Sequence, residues 1–519
     1  MSQGGRQIAR AAIVVMALFA LSRLLGVVRQ MAIAAQFGTG GDLDAYLAAA
    51  RIPEMVFLVV TGGALGSAFI PAFADHLARG DRNGAWRLAS SVANLALILL
   101  TAAAAAIAIF APVLVQTLIA PGFTPDQQAL TVSLMQLMLL SSIIFGVSGI
   151  VMGALNAQQH FVLPALAPSI YNLSIVGGTL ILGPRLGVEG IAVGVVVGSA
   201  LHLAVQIPGL LRYGARYTPT LGLDNPDVRE VGRLMAPRVL GTAIAQINFV
   251  INNSLASTMG EGAVSAVNYA WLLMLLPQGI LAQAVGTAAF PTFAEQAARG
   301  EYDKMRGTLA ATLRTVFFLS LPATVGLLAL GGPLVGFLFE RGAFDASSTT
   351  EVVWALAFFA IGLVGHSGLE IVARAFYALH DTLTPVWVGG AAMALNLALS
   401  LTLPGAFERA GWLPHGGLAL ANSVATLLEM IALLALIRRR MGGMEGRRTA
   451  SAFVKSGLAA LTMGAALLGW QALLPGANAL AVGGGGIVVG VAVYLGAALL
   501  LRAEELHARL IWTRRAGDG

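Results

Sequence analysis

Residues 64–81, ALGSAFIPAFADHLARGD, return without a gap at residues 284–301 as AVGTAAFPTFAEQAARGE, 220 positions later. Ala64, Gly66, Ala68, Pro71, Phe73, Ala74, Ala78, Arg79 and Gly80 all recur, and Ser67 and Asp75 become Thr287 and Glu295. A second set recurs at an offset of 221: Pro112 with Pro333, Phe123 with Phe344, Ala157 with Ala378, Pro164 with Pro385. Two copies of one unit therefore fill most of the chain. Their expected extents are residues 1–220 and 221–440, with residues 441–519 left over. Internal duplication is a hallmark of secondary transporters when the repeated unit is apolar.

The repeated unit is apolar. Hydrophobic residues make up 57% of the chain and charged residues 11%, against about 45–50% and about 25% in soluble domains. So little charge cannot cover a water-facing surface, and the solvent expected is lipid. The chain holds no cysteine, which excludes disulfides and thiolate metal sites. The formal charge of +6 is scattered among short loops instead of forming the patch a nucleic acid would need. The first apolar run continues to about residue 35 with arginines inside it, which does not read as a cleavable signal.

A hydrocarbon core needs about 20 helical residues per crossing. Fourteen such segments are predicted, centred near residues 20, 60, 100, 142, 172, 198, 245, 278, 320, 362, 393, 426, 462 and 490. Backbone groups in lipid must bond within their own segment, so each crossing is expected to be a helix. The fold class expected is an all-α polytopic membrane protein. Two six-helix lobes (spans 1–6 in residues 1–220, spans 7–12 in 221–440) are followed by spans 13–14 and a cytoplasmic tail. Of 31 lysines and arginines, 24 fall at the termini and even-numbered junctions, and only Arg185, Arg341 and Arg409 at odd ones. That bias places both termini in the cytoplasm. Six crossings per copy is an even number, so a pseudo-twofold along the membrane normal is expected.

The copies differ in their ionisable residues. Spans 1 and 2 hold Arg23, Arg29, Asp44, Arg51 and Glu54, whose counterparts 220 positions on are Ala243, Phe249, Val264, Trp271 and Met274. An arginine near a helix centre costs about 2.5–3.5 kcal/mol to insert, so Arg23 and Arg29 need water or a partner. Ser22, Gly26 and Arg29 share one helical face, and Asp44 and Arg51 lie seven residues apart. A wet cationic cavity between the lobes for an anionic ligand follows, because guanidinium forks match phosphate oxygens in parallel pairs. Ser22, Arg23, Arg29, Asp44 and Arg51 are the candidate substrate-binding residues. Snorkelling, or pairing of Arg51 with Glu54 and Asp44, is the bland alternative.

His366, Glu370 and Arg374 step by four along span 10. They form a candidate gate or ion-coupling set, although an intrahelical Glu–Arg pair beside a histidine accounts for them more simply. Asn248, Asn252, Asn396 and Asn422 fit hydrogen bonds between helices better than a sodium site. The run 438–440 with Arg447 and Arg448 reads as a topology anchor that touches anionic headgroups. No HExxH, no GxxxxGK[ST] and no acidic metal pair in a loop occurs. Neither catalysis, nor a cofactor, nor a bound metal is expected.

Several stretches together resemble the MurJ/MviN family of lipid II flippases, within the multidrug/oligosaccharidyl-lipid/polysaccharide exporter superfamily. They are SRLLGVVRQ (22–30), FGTGGDLDAYLAAARIP (37–53), GGALGSAFIP (62–71), GALNAQQHFVLPALAPSIYNLSIV (153–176), FERGAF (339–344) and ARAFYALHDTLTP (373–385). The resemblance covers about residues 10–440, and spans 13–14 fit the family's two extra helices by position. It implies that spans 1, 2, 7 and 8 line a central cavity. It further implies that undecaprenyl-diphosphate-MurNAc-pentapeptide-GlcNAc (lipid II) is carried outward by alternating access, its tail in a groove beside spans 13–14. The family's SRxxGxxR motif matches Ser22, Arg23, Gly26 and Arg29, and its opening aspartate of span 2 matches Asp44. The chain departs from the family at Phe57 and VTGGA (60–64), where many members have a cavity arginine and an FAEGA-like stretch. It departs again at Trp271-Leu272, where many have Asp-Arg, and at Gln30, which replaces a common acidic residue.

The expected setting is a bacterial inner membrane, with lipid II and membrane lipids as partners, no nucleic acid, and a monomer. Three other readings fit the residues alone: an exporter of another polyprenyl-linked glycan, a cation-coupled drug antiporter, and a non-transporting scaffold for envelope assembly.

Overall fold

In the computed structural model, residues 3–61 and 68–506 are described, without side chains at 3–12, 57, 59–61 and 237–245. Arg6, Arg10, Phe57, the 60–64 stretch, Arg238 and Ala243 therefore lie outside the described side chains, as do the arginines beyond residue 506.

Among the described residues the regular elements are all helical. They run α1 (Gln3–Phe37), α2 (Gly41–Thr61), α3 (Ile70–Ala78), α4 (Arg82–Leu114), α5 (Pro125–Ala157), α6 (Val162–Gly177), α7 (Gly183–Leu186), α8 (Glu189–Ala204) and α9 (Ile207–Arg212). Then come α10 (Pro226–Ser257), α11 (Ala263–Gln278), α12 (Ala284–Ala298), α13 (Tyr302–Phe339), α14 (Ala346–Ala378), α15 (Leu383–Arg409), α16 (His415–Arg440), α17 (Gly446–Ala472) and α18 (Ala479–Leu500). Twelve of the described helical stretches are long and apolar enough to cross a membrane. The remaining two of the fourteen expected segments are α2, 21 residues long, and α10, 32 residues long. Both are long enough to cross; α2 carries Asp42, Asp44, Arg51 and Glu54, and part of α10 lies outside the described side chains. Elsewhere lipid-facing surface is plain: Leu99, Ile109, Phe110, Ile181, Trp387 and Val488 are all more than half exposed.

The duplication is visible in backbone detail. α5 and α14 are both 33 residues long and begin 221 positions apart. Thr124 caps the first, its side chain accepting from the Gln127 N–H in a capping box, and Asp345 caps the second by accepting from Ser348 N–H. Each helix is followed by a left-handed residue that is not glycine, Gln159 (φ 58°) and His380 (φ 57°), again 221 apart. Such a residue reverses the chain after a helix and satisfies its last carbonyls. The pairs Arg79–Asp75 and Arg299–Glu295 likewise repeat at 220.

Short π segments follow two of the intrahelical prolines: Val115–Ile119 after Pro112, and Gly279–Gln283 after Pro277. Proline removes a donor and clashes one turn back, so the ladder re-pairs at longer spacing. The Ala120 N–H donates to the Val115 carbonyl, five residues back, at 2.9 Å.

The chain divides into two compact units. Unit 1 comprises residues 1–264 with 341–344, and unit 2 comprises 265–340 with 345–519. In unit 1, α6 and α8 pack through glycines so closely that a Cβ on Gly178 would sit 2.5 Å from the Gly190 carbonyl oxygen. Small residues let helix backbones approach where no hydrophobic effect drives them together. In unit 2, α17 and α18 pack on α13 through Phe318, Leu330, Ala459, Ala460, Met463, Leu467 and Tyr494. The Tyr494 hydroxyl donates to the Phe318 carbonyl at 2.6 Å.

Candidate functional site: a polar cavity and a carboxylate seam in unit 1

α2 and α10 carry polar side chains that lipid would solvate poorly. α2 carries Asp42, Asp44, Arg51 and Glu54, and α10 carries Gln246, Asn248, Asn252 and Asn253. Buried polar groups in a membrane protein turn toward protein or a water-filled space. These two helices meet and enclose a cavity of about 240 Å³ lined by Arg51, Glu54, Met55, Leu58, Gln246, Phe249 and Val250.

Arg51 Nη1 stands 3.7 Å from Glu54 Oε2, one turn along the same helix. The arginine side chain is 22% exposed and the glutamate 63%, so the pair sits on a wetted wall. Exposed pairs of this kind are worth less than about 1 kcal/mol, and an incoming anion can compete for the guanidinium.

Arg29 is half-buried on α1. Arg23, six residues earlier on α1, is exposed. Ser22 is half-buried, and its backbone carbonyl accepts from Asn172 Nδ2 at 3.3 Å, which ties α1 to α6.

Asp44 takes a different position. It is fully buried, and its Oδ2 accepts the Gly262 N–H at 2.8 Å. In return the Gly41 N–H donates to Glu261 Oε1 at 2.8 Å. Each carboxylate rests on the other segment's helix N-terminus, where unpaired amides and the helix dipole favour negative charge. The seam continues beside it: the Ala343 N–H donates to the Ala35 carbonyl at 2.8 Å. Gly38 (φ 63°) and Gly342 (φ 64°) lie so close to that strand of contacts that a Cβ on either would clash with backbone, at 2.4 Å and 2.1 Å. The FERGAF stretch therefore has a structural task, to close against the end of α1.

In unit 2, His366 Nε2 lies 3.0 Å from Asn422 Oδ1, and its ring meets Trp271 edge to face at 5.5 Å. Trp271 also packs on Phe359 at 5.3 Å. Arg374 Nε donates to Glu370 Oε1 at 3.2 Å within one helix, both side chains about one-quarter exposed. Asn252 Nδ2 donates to Asn248 Oδ1 at 2.7 Å and Ser400 Oγ to Asn396 Oδ1 at 3.1 Å. Among the described residues no group of three His, Cys, Asp or Glu side chains is arranged to hold a metal.

Glu261 and Gln246 were not singled out by the sequence, and Phe249 entered only as the apolar counterpart of Arg29. For Glu261 a signal existed: GEG (260–262) aligns with GGD (40–42) at the repeat offset.

Comparison with known proteins places the chain. The family model described as lipid II flippase MurJ matches residues 33–480. A lipid II flippase MurJ of Burkholderia cenocepacia is 31% identical over 442 residues, 83% of this chain and 84% of that one. A probable lipid II flippase MurJ of Rhizobium tropici is 31% identical over 507 residues, 93% of this chain and 92% of that one. A solved lipid II flippase MurJ in an inward closed conformation superposes with a TM-score of 0.79 at 25% identity, over 94% of this chain and 99% of that one. An inward-facing multidrug resistance MATE family transporter shares the fold at 16% identity and TM-score 0.66, over 83% of this chain. With the family match running through both sequence copies and into α18, the chain belongs to the MurJ family of lipid II flippases.

Proposed function

We propose that this protein moves lipid II, the undecaprenyl-diphosphate-linked peptidoglycan precursor, from the cytoplasmic to the outer leaflet of a bacterial inner membrane by alternating access. The observation that carries this reading is the family match over residues 33–480. The cavity between α2 and α10 suits the chemistry: it presents Arg51 to an anion and has an apolar side in Met55, Leu58 and Val250. Arg23 and Arg29 lie about 9 Å apart along α1 at 1.5 Å per residue, a reach that engages a diphosphate and its first sugar. In this proposal Arg29 and Arg51 hold the diphosphate, Arg23 meets it at entry, and Ser22 is a local polar contact.

The Asp44–Gly262 and Glu261–Gly41 contacts serve as the closure on the outer side, in keeping with the cytoplasmic placement of both termini that the arginine bias favours. The two sequence copies, residues 1–220 and 221–440, act as the moving lobes, with residues 441–519 as an appended pair of crossings. His366, Glu370 and Arg374 contribute packing and an intrahelical pair, with gating or ion coupling open to the same assay. The working unit is a monomer.

Complementation tests the reading. The protein is expressed in a strain depleted of its own lipid II flippase. Growth is expected with the parent and is lost with Arg23→Ala or Arg29→Ala, while membrane insertion is retained. Glu370→Gln and Arg374→Gln are expected to be far milder. Growth of both α1 arginine variants at the parent's rate would refute the cationic-cavity mechanism.

A further inference from the structure

α17 opens on a basic cleft that the transport reading does not use. The cleft holds about 320 Å³ and is lined by Arg447, Arg448, Ser451, Ala452, Lys455 and Glu504. Positions 447, 448, 451 and 455 fall on one helical face. Arg448 is engaged: its Nε donates to Glu504 Oε2 at 2.6 Å and its Nη1 lies 3.6 Å from Glu445. That contact holds the Glu504 carboxyl below the ordinary carboxylate range, so it stays ionised. Lys455 Nζ is held at the wall by the Arg502 carbonyl at 3.2 Å. Arg447 has no acidic partner among the described residues. Glu445 is shared between Arg448 and Arg314 and lies outside the lining, so among the lining residues three cations face one carboxylate, a surplus of positive charge.

The same helix turns apolar at once. Val454, Leu458 and Leu461 are 57%, 49% and 65% exposed, within about 9 Å of Lys455 along the axis. The opposite flank, Ala459, Ala460, Met463 and Leu467, packs against α13 and α18. A cationic cleft that runs directly into an exposed leucine stripe has the amphipathic outline of one phospholipid, headgroup above and acyl chain below. A soluble phosphate would have no use for the stripe.

We propose that this cleft is a binding site for an anionic glycerophospholipid such as phosphatidylglycerol. Arg447 and Lys455 hold the phosphodiester, the Ser451 hydroxyl donates to it, and Val454, Leu458 and Leu461 carry an acyl chain. Guanidinium and ammonium groups both suit phosphate oxygens. The Glu504 carboxylate opposes the anion and limits its affinity.

Native mass spectrometry of the full-length protein, titrated with phosphatidylglycerol, phosphatidylcholine or inorganic phosphate, tests this. Phosphatidylglycerol should bind more tightly than phosphatidylcholine. Removing both free charges in Arg447→Gln/Lys455→Gln should weaken phosphatidylglycerol about 25-fold, at roughly fivefold per charge, and leave phosphatidylcholine unchanged. Arg447→Lys/Lys455→Arg should restore binding, and Glu504→Gln should tighten it about fivefold. Equal binding of the two lipids, or undiminished phosphatidylglycerol binding by the double glutamine variant, would overturn the site. Displacement of the lipid by millimolar inorganic phosphate would make it a free-phosphate site and refute the lipid reading.

Discussion

Neutralising the two carboxylates at the seam should loosen it without unfolding the protein. Asp44 Oδ2 and Glu261 Oε1 each accept one backbone N–H at 2.8 Å, across 218 and 220 residues of chain. A hydrogen bond to a charged group is worth about 1.5–3 kcal/mol and a neutral one about 0.5–1.5. Asp44→Asn and Glu261→Gln keep an acceptor and lose the charge, so each should cost about 1 kcal/mol, and the pair about 2. Because both replaced groups serve the same junction, the costs add to one opening equilibrium, a rise of about 30-fold in open population. Leu43, fully buried between these contacts, reports on it. The chain has no cysteine of its own, so Leu43→Cys is a unique label site. Its reaction with an impermeant maleimide in intact cells should be slow in the parent background and about 30-fold faster with both substitutions. A rate changed by less than twofold would show that the carboxylates do not hold the seam closed. Labelling confined to inside-out vesicles would instead place the seam on the cytoplasmic side.

Three further outcomes are expected. Arg82→Cys, beside the Asp81 cap of α4, should resist the impermeant reagent in intact cells and react in inside-out vesicles if the arginine bias sets the topology as proposed. Gly178→Ala puts a Cβ 2.5 Å from the Gly190 carbonyl oxygen, so overpacking should cost about 1–3 kcal/mol and lower the thermal midpoint in detergent. His160, in the loop between α5 and α6, has its pKa lowered by burial and then by the Arg212 charge. A folded pKa below the unfolded value near 6.5 means that stability is intact above about pH 6.5 and falls as pH drops through the folded pKa. His160→Gln should flatten that decline in thermal midpoint between pH 7.5 and pH 5, and an unchanged slope would assign the loss to other groups.

The architecture was legible because lipid allows few solutions. Length and apolarity fix a crossing helix with no tertiary information, and the offset of 221 seen in the sequence returns in the starts of α5 and α14. The polar residues were legible by type and less so by partner. Arg29, Arg51 and Glu54 stand out in apolar helices, and the structure sets Arg51 beside Glu54 on the cavity wall. Asp44 stands out for the same reason, yet its carboxylate faces the Gly262 amide. A backbone N–H has no letter in the sequence, so a side chain's charge says that a partner exists and not which one. Glu261 shows the other half of the difficulty. In a loop it looks like any solvated glutamate, and only its distance of one repeat from Gly41 ties it to the N-terminus of α2. The duplication was read as a statement about two similar halves. The seam shows it is also a statement about contacts, since two copies of a helix start, brought together, can each supply the anion that the other's amides require.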